Sequence, residues 1–231
     1  MLFRSGEILE DVEGALWTRG LIDRTRLTEA PPLSRVVVSV DPAVTNTSES
    51  DETGIIVCGS DSTGQGYVIA DYSFRGSPLE WAQKAVEAFD KHKADAILVE
   101  VNQGGDMVSA VLKQVRTSLP IREIRAHIGK RLRAEPVAAM YEQGRIHHVG
   151  VYPQLEDQMT VWTTDDPKSP DRIDAMVQGF SDLLGKVTVS NYFNAISNIC
   201  PKCGLPMPKS FTHCSSCKTA MIATSEIAQG A

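Results

Sequence analysis

The chain has 231 residues, 42% of them hydrophobic, with a formal net charge of −6. That is enough apolar material for one full domain and a small module. No apolar run approaches the roughly 20 residues of a membrane-spanning helix, and the opening stretch MLFRSGEILEDVEG turns acidic where a secretory signal would be apolar, so a cytoplasmic protein is expected. The acidic balance argues against nonspecific nucleic-acid binding by the whole surface but leaves room for a local basic stripe.

In chain order, Glu7 to Gly20 carries Ile8, Leu9, Val12, Ala15 and Leu16 at helical spacing. Pro31 and Pro32 then break the chain. Three strands are expected over Arg35 to Val40, Thr53 to Cys58 and Gly66 to Tyr72, forming an antiparallel meander. Ser77 and Pro78 make an N-cap and first helical position, opening a helix to Lys91 with Leu79, Ala82, Val86 and Phe89 in one stripe. There follow a strand (Asp95 to Val101), a Gly104-Gly105 turn, a helix (Asp106 to Val115), a strand (Ile121 to Arg125), a helix (Lys130 to Gln143) and a short strand (Arg145 to Val149). Pro153 to Pro170 reads as acidic and irregular, and Asp171 to Leu184 resumes helical spacing. Alternating strands and helices imply an α/β fold, a mixed sheet flanked by helices, with ligands at the carboxyl ends of its parallel strands. The expected divisions are 1–34, an N-terminal helix and linker; 35–185, the main domain; 186–199, a linker with at most one short strand; 200–221, a cysteine module; and 222–231, a disordered tail.

Asp41 ends the first apolar strand and Glu100 ends the run Ala96 to Val99. Asp171 and Asp174 share one face at the start of an apolar helix. A single Asp at a strand end is usually a turn or capping residue. Asp41 before Pro42 fits that reading well, and Asp171 after Ser169-Pro170 fits as a helix N-terminal carboxylate. Glu100 fits it worse, because it follows Ile97-Leu98-Val99. Carboxylates closing buried runs are costly unless paired, and three or four gathered from distant segments suit a two-metal phosphodiester site.

The segments VVVSVDPAVTNTSESDETGIIV, ILVEVNQGGDMV, GKRLRAEPVAAMYEQGRIHHVG and SPDRIDAMV resemble successive motifs of the nuclease domain of large terminase subunits, the DNA-packaging motors of tailed bacteriophages. The resemblance covers Arg35 to Leu184. It implies an RNase H-like fold cutting concatemeric double-stranded viral DNA in the bacterial host cytoplasm. Asp41 would bridge two Mg2+ or Mn2+ ions, Glu100 would hold one of them and Asp174 would complete the cluster, with Asp171 an auxiliary ligand. A complete large terminase begins with an ATPase bearing a phosphate-binding loop. No G-x-x-x-x-G-K-[ST] occurs here, so the chain is expected to be either a separated nuclease subunit or a truncated product, with a separate ATPase, the small terminase subunit and the portal as expected partners. A junction resolvase of the same fold, and a noncatalytic adaptor acting through its cysteine module, are the rival readings.

Residues 122 to 133 hold five basic side chains (Arg122, Arg125, Lys130, Arg131, Arg133) against one acidic, Glu123. Such a run is as often a solvated face as a phosphate-binding one. Asn102 and Gln103, after Glu100, are further candidates for DNA contact. His147 and His148 alternate on a strand and so point to opposite faces, where one could approach DNA, though a structural role is favoured. Of five cysteines, Cys58 falls in a strand; Cys200, Cys203, Cys214 and Cys217 form two C-x2-C knuckles suited to one tetrahedral structural Zn2+, a zinc ribbon.

Overall fold

The computed structural model describes residues 11–42, 52–101, 106–125, 129–163, 166, 170–184, 198–199, 202 and 206–207. Asn102, Gln103 and the four knuckle cysteines lie outside the described residues. The chain divides into two compact units, Met1–Gly185 and Lys186–Ala231.

The first unit is built on a six-stranded sheet: β1 (Arg35–Asp41), β2 (Gly54–Ser60), β3 (Gly66–Asp71), β4 (Ala96–Glu100), β5 (Ile121–Ile124) and β6 (Ile146–His148), in the spatial order β5-β4-β1-β2-β3-β6. β1, β2 and β3 form the expected antiparallel meander, while β4 runs parallel to β1, β5 to β4 and β6 to β3. The sheet is therefore mixed, and its helices cover both faces. Each helix between parallel strands crosses back over the sheet, which is why β1, β4 and β5 all point their carboxyl ends to one edge.

On one face, α2 (Pro78–Lys91) and α3 (Asp106–Val115) pack together over Val38, Val40, Ile55, Val57, Ile97 and Val99. A complete capping box at Ser77 and Glu80, with Pro78 in the first turn, starts α2 where the sequence expects it. The other face carries α6 (Asp171–Leu183), laid across β1 and β2 and in contact with α4 (Lys130–Glu142) and α5 (Pro153–Val161). Strand side chains alternate, so Val37, Ser39 and Asp41 turn to the α6 face, as do Gly54, Ile56 and Cys58.

Two segments depart from the sequence expectations. Among residues 7–20, the described part before Thr18 is not helical; α1 is Arg19–Arg24, with the Thr18 hydroxyl accepting from the Leu21 amide. Upstream of it the Val12 amide donates to the Thr160 carbonyl at 3.0 Å, Ala15 bridges to Thr163, and Gly14 has φ 92. These long-range partners override the local period. In turn, Pro153 to Pro170 is not irregular throughout, because α5 fills residues 153–161. Its stripe is hidden in the sequence because Glu156 occupies a fully buried position beside Leu155 and Met159.

Glu156 is tolerated there because donors surround it: His148 Nδ1 at 2.9 Å, Arg26 Nη1 at 2.7 Å, Arg19 Nη1 at 3.1 Å and the Tyr152 amide at 3.1 Å. Burial pushes its carboxyl up, but the hydrogen bonds from His148, Arg26 and Tyr152 outweigh that and hold it well below the usual carboxylate range. The same network fastens α1 and the residues after it to α5 and β6. It also absorbs His148, whose other ring nitrogen meets the Tyr141 hydroxyl at 2.7 Å; His147 stacks on Tyr67. Both histidines are structural.

In the second unit, β7 (Asn198–Ile199) pairs antiparallel with β8 (Pro206–Met207).

One close approach positions α6. A Cβ on Gly54 would overlap the Asp171 carbonyl oxygen, and one on Gly179 would lie 2.7 Å from Cys58 Sγ. Gly54→Ala must push the first turn of α6 off the sheet. It should destabilise the protein by about 1–3 kcal/mol, the usual cost of overpacking, read as a lower midpoint in urea unfolding. An unchanged midpoint would mean that the helix does not rest on β2 there.

Candidate active site

The register of β1 against β4 sets the site. Val40 lies opposite Val99, so Asp41 and Glu100 end neighbouring parallel strands side by side, on strands spaced about 4.8 Å apart. Alternation turns both to the α6 face. On the other flank of β1, Asp41 lies opposite Gly54, the residue on which the start of α6 rests. α6 thereby delivers Asp171, half-buried, and Asp174, 5% exposed, to the same edge. Three separate segments thus bring four carboxylates together.

Their proximity is felt electrostatically. Burial, together with the negative charges of Asp174, Glu100 and Asp171, pushes the Asp41 carboxyl up to about 8, against the opposing pull of Lys130. Two cations from the first turn of α4 sit among these acids. Lys130 Nζ donates to Asp174 Oδ2, and Arg133 Nη1 donates to Glu100 Oε2 at 2.8 Å, with the Arg133 side chain only 16% exposed. Burial pushes the Lys130 ammonium down, and the Asp174 partner with the Asp41 and Glu100 charges raises it above its ordinary value.

The basic run of residues 122–133 is thereby divided. Lys130 and Arg133 turn inward to the carboxylates. Arg131 is 58% exposed and bonds Glu135 at 2.9 Å, Arg125 is exposed, and Arg122 is held by Asp182 at 2.6 Å. Sequence reasoning did not find the inward pair, Gly54, or Arg172, a buried arginine in the first turn of α6. A signal for the pair existed: Lys130 and Arg133 stand four residues before the buried Ala134 and Val137, on the same helical stripe.

The family model of the terminase RNaseH-like domain matches residues 38–183. The chain belongs to that family. Comparison with curated protein sequences gave no match. Among solved structures, the large terminase of bacteriophage HK97 superposes with a TM-score of 0.55 at 12% identity, over 73% of this chain and 43% of that one. The large terminase nuclease of thermophilic phage G20c superposes with a TM-score of 0.53 at 10% identity, over 74% of this chain and 99% of that one. A mutant nuclease domain of the large terminase subunit gp2 of bacterial virus Sf6, solved with manganese and beta-thujaplicinol, gives 0.51 at 11% identity, over 72% of this chain and 98% of that one. The chain spans about two-fifths of the length of the large terminases that it matches, and nearly the whole of the isolated nuclease domains. At these identities the likeness is one of fold: the mixed six-stranded sheet and its helices are those of an RNase H-like terminase nuclease domain.

Among the described residues of this terminase domain, no three His, Cys, Asp or Glu side chains stand as ligands of a metal ion; Asp174 and Glu100 face Lys130 and Arg133. The donor set still suits a hard divalent cation. It offers only oxygen atoms, gathered at one edge, where burial and the neighbouring negative charges together keep Asp41 protonated at neutral pH.

That last property has a measurable sign. The folded Asp41 carboxyl keeps a proton up to about pH 8, whereas in the unfolded chain it ionises near pH 4. The stability it contributes is therefore full below about pH 4 and is lost as pH rises through about 8. Asp41→Asn stays neutral throughout. In chelator-treated buffer its melting temperature should match the wild type near pH 4, then exceed it by a growing margin that levels off above pH 8. A margin independent of pH would separate Asp41 from the other carboxylates.

Proposed function

We propose that this chain is the nuclease part of a viral DNA-packaging machine, a divalent-metal-dependent endonuclease that cuts concatemeric double-stranded DNA. The observation that carries this reading is the convergence of Asp41, Glu100, Asp171 and Asp174 at the carboxyl edge of an RNase H-like sheet, where burial and the neighbouring negative charges raise Asp41 to about 8. Titratable groups perturbed by both burial and specific charged neighbours are candidates for function.

Asp41, between the other acids, would be the shared ligand of two Mg2+ or Mn2+ ions, with Glu100 holding one of them, Asp174 completing the cluster and Asp171 assisting. Related nuclease domains have been solved with manganese, zinc and magnesium, which supports a divalent ion in this family. When bound, such ions make water acidic enough to attack phosphorus and neutralise charge building on the leaving 3′ oxygen. The chain's own contribution is to hold its carboxylates on rigid strand and helix ends and to keep cationic side chains at the rim. Arg125 and Arg131 would contact DNA phosphates without reading sequence, with Lys130 and Arg133 nearer the cut; Asn102 and Gln103 are further candidates for DNA contact.

Cys200, Cys203, Cys214 and Cys217 bind one structural Zn2+ in the second unit, by their knuckle spacing. The protein works in the host cytoplasm with a packaging ATPase, the small terminase subunit and the portal. Among the described residues, no helix is long and apolar enough to cross a membrane.

Supercoiled plasmid should be nicked and linearised only when Mn2+ or Mg2+ is present. Asp41→Asn should abolish cutting while gel-shift binding of the same DNA persists. Cleavage by the variant at the wild-type rate would overturn the nuclease assignment. For the cysteines, elemental analysis should find one zinc per chain, lost in Cys203→Ser; zinc retained by that variant would refute binding by four thiolates.

A further inference from the structure

Arg172 stands in the first turn of α6, between Asp171 and Asp174, with its side chain 2% exposed. This is a poor place for a cation on two grounds. The N-terminal end of a helix carries partial positive charge, and a guanidinium loses its hydration on burial. The site around it compensates. Nη1 donates to Glu52 Oε2 at 2.9 Å while Nη2 lies 2.8 Å from Glu52 Oε1, a two-toothed pair. Nη2 also donates to Gln154 Oε1 at 2.7 Å and to the Ser73 carbonyl at 3.2 Å. Nε lies 3.3 Å from Asp71 Oδ2, close enough for ion pairing though not aligned as a hydrogen bond.

These partners come from three directions: the lead into β2, the end of β3, and α5. Contact at Gly54 sets how near the first turn of α6 comes to the sheet, but a single contact leaves the helix free to rotate about its axis and slide along it. The Arg172 fork removes both freedoms. Rotation would swing Asp171 and Asp174 away from Asp41, so the fork fixes the direction in which those carboxylates face. We infer that Arg172 is a positioning residue for the acidic site, holding Asp171 and Asp174 in ligand orientation through Glu52, Asp71, Ser73 and Gln154. This rests on the metal-dependent reading proposed above.

Mn2+ binding to the full chain, followed by loss of the free-ion paramagnetic resonance signal, tests it at a temperature where circular dichroism shows each variant folded. Wild type should bind and Asp41→Asn should not. Arg172→Lys, which keeps the charge but not the fork, should bind Mn2+ about 10–100-fold more weakly, the usual effect of losing a residue that orients a ligand. Glu52→Gln should shift affinity the same way by less, and it carries the test if Arg172→Lys does not fold. In an Asp174→Asn background, Arg172→Lys should add little further loss, because the principal ligand through which it acts is gone and only the auxiliary Asp171 remains. Wild-type affinity in a folded Arg172→Lys protein of lowered melting temperature, or losses that simply add in the double variant, would reduce Arg172 to a packing residue and overturn the inference. A wild type that binds no Mn2+ would instead bring down the metal reading itself, and the inference with it.

Discussion

Like charges brought together away from water repel strongly, and the carboxyl edge of this sheet gathers four of them. Asp41 and Glu100 are made neighbours by the register of β1 and β4, and α6 adds Asp171 and Asp174 from above. Two unit charges 4 Å apart interact by about 4 kcal/mol at an effective dielectric of 20, so the fold can hold such a group only with counter-charge close by or a proton taken up. Both occur. Lys130 and Arg133 lie three residues apart, on one face of α4, and reach Asp174 and Glu100; Asp41, between them, is raised to about 8. The first turn of α4 is as much a part of the site as the acids themselves.

The scaffold beneath this edge is ordinary in its chemistry but narrow in its tolerances. Ala175 and Gly179, small and four residues apart, let α6 lie against β1 and β2, and Gly54 leaves room for the first turn. Small residues at these positions convert a helix–sheet contact into a fixed distance between Asp41 and the helix acids. On the far side, Trp17 stacks on Trp162 with ring centroids 6.3 Å apart and meets Tyr141 edge-on at 6.2 Å, which seats the segment before α1 against α4 and α5, the helices in contact with α6.

Much of this was written openly in the sequence, because the strands are apolar runs that end in carboxylates and α2 announces its own start with Ser77, Pro78 and Glu80. Apart from the non-helical stretch before Thr18 and the close approach at Gly54, what stayed hidden was charged residues whose partners are distant in sequence. Glu156 erases the helical stripe of α5, since a carboxylate reads as solvent-facing until its arginine partners, more than a hundred residues away, are known. Arg172 disappears likewise into a segment that looks like a helix cap. Lys130 and Arg133 read as members of a basic run, although their spacing from Ala134 and Val137 put them on the buried stripe. Local pattern reports where apolar side chains go; it is silent on charges whose partners are distant.

In the proposed reading a chain of net charge −6 must still approach a polyanion, and the direction of its cations decides how. Those nearest the acidic edge are not spread over the surface but sorted. Lys130 and Arg133 offset the carboxylates, so their charge is largely consumed inside the site and contributes little field beyond it. Arg131, 58% exposed though paired with Glu135, and Arg125, also exposed, lie at the surface in the same basic run, where solvent and salt screen but do not abolish attraction for phosphate. A phosphodiester drawn toward that rim comes next to an edge still short of positive charge. In the proposed reading this shortfall is what gives divalent cations their place.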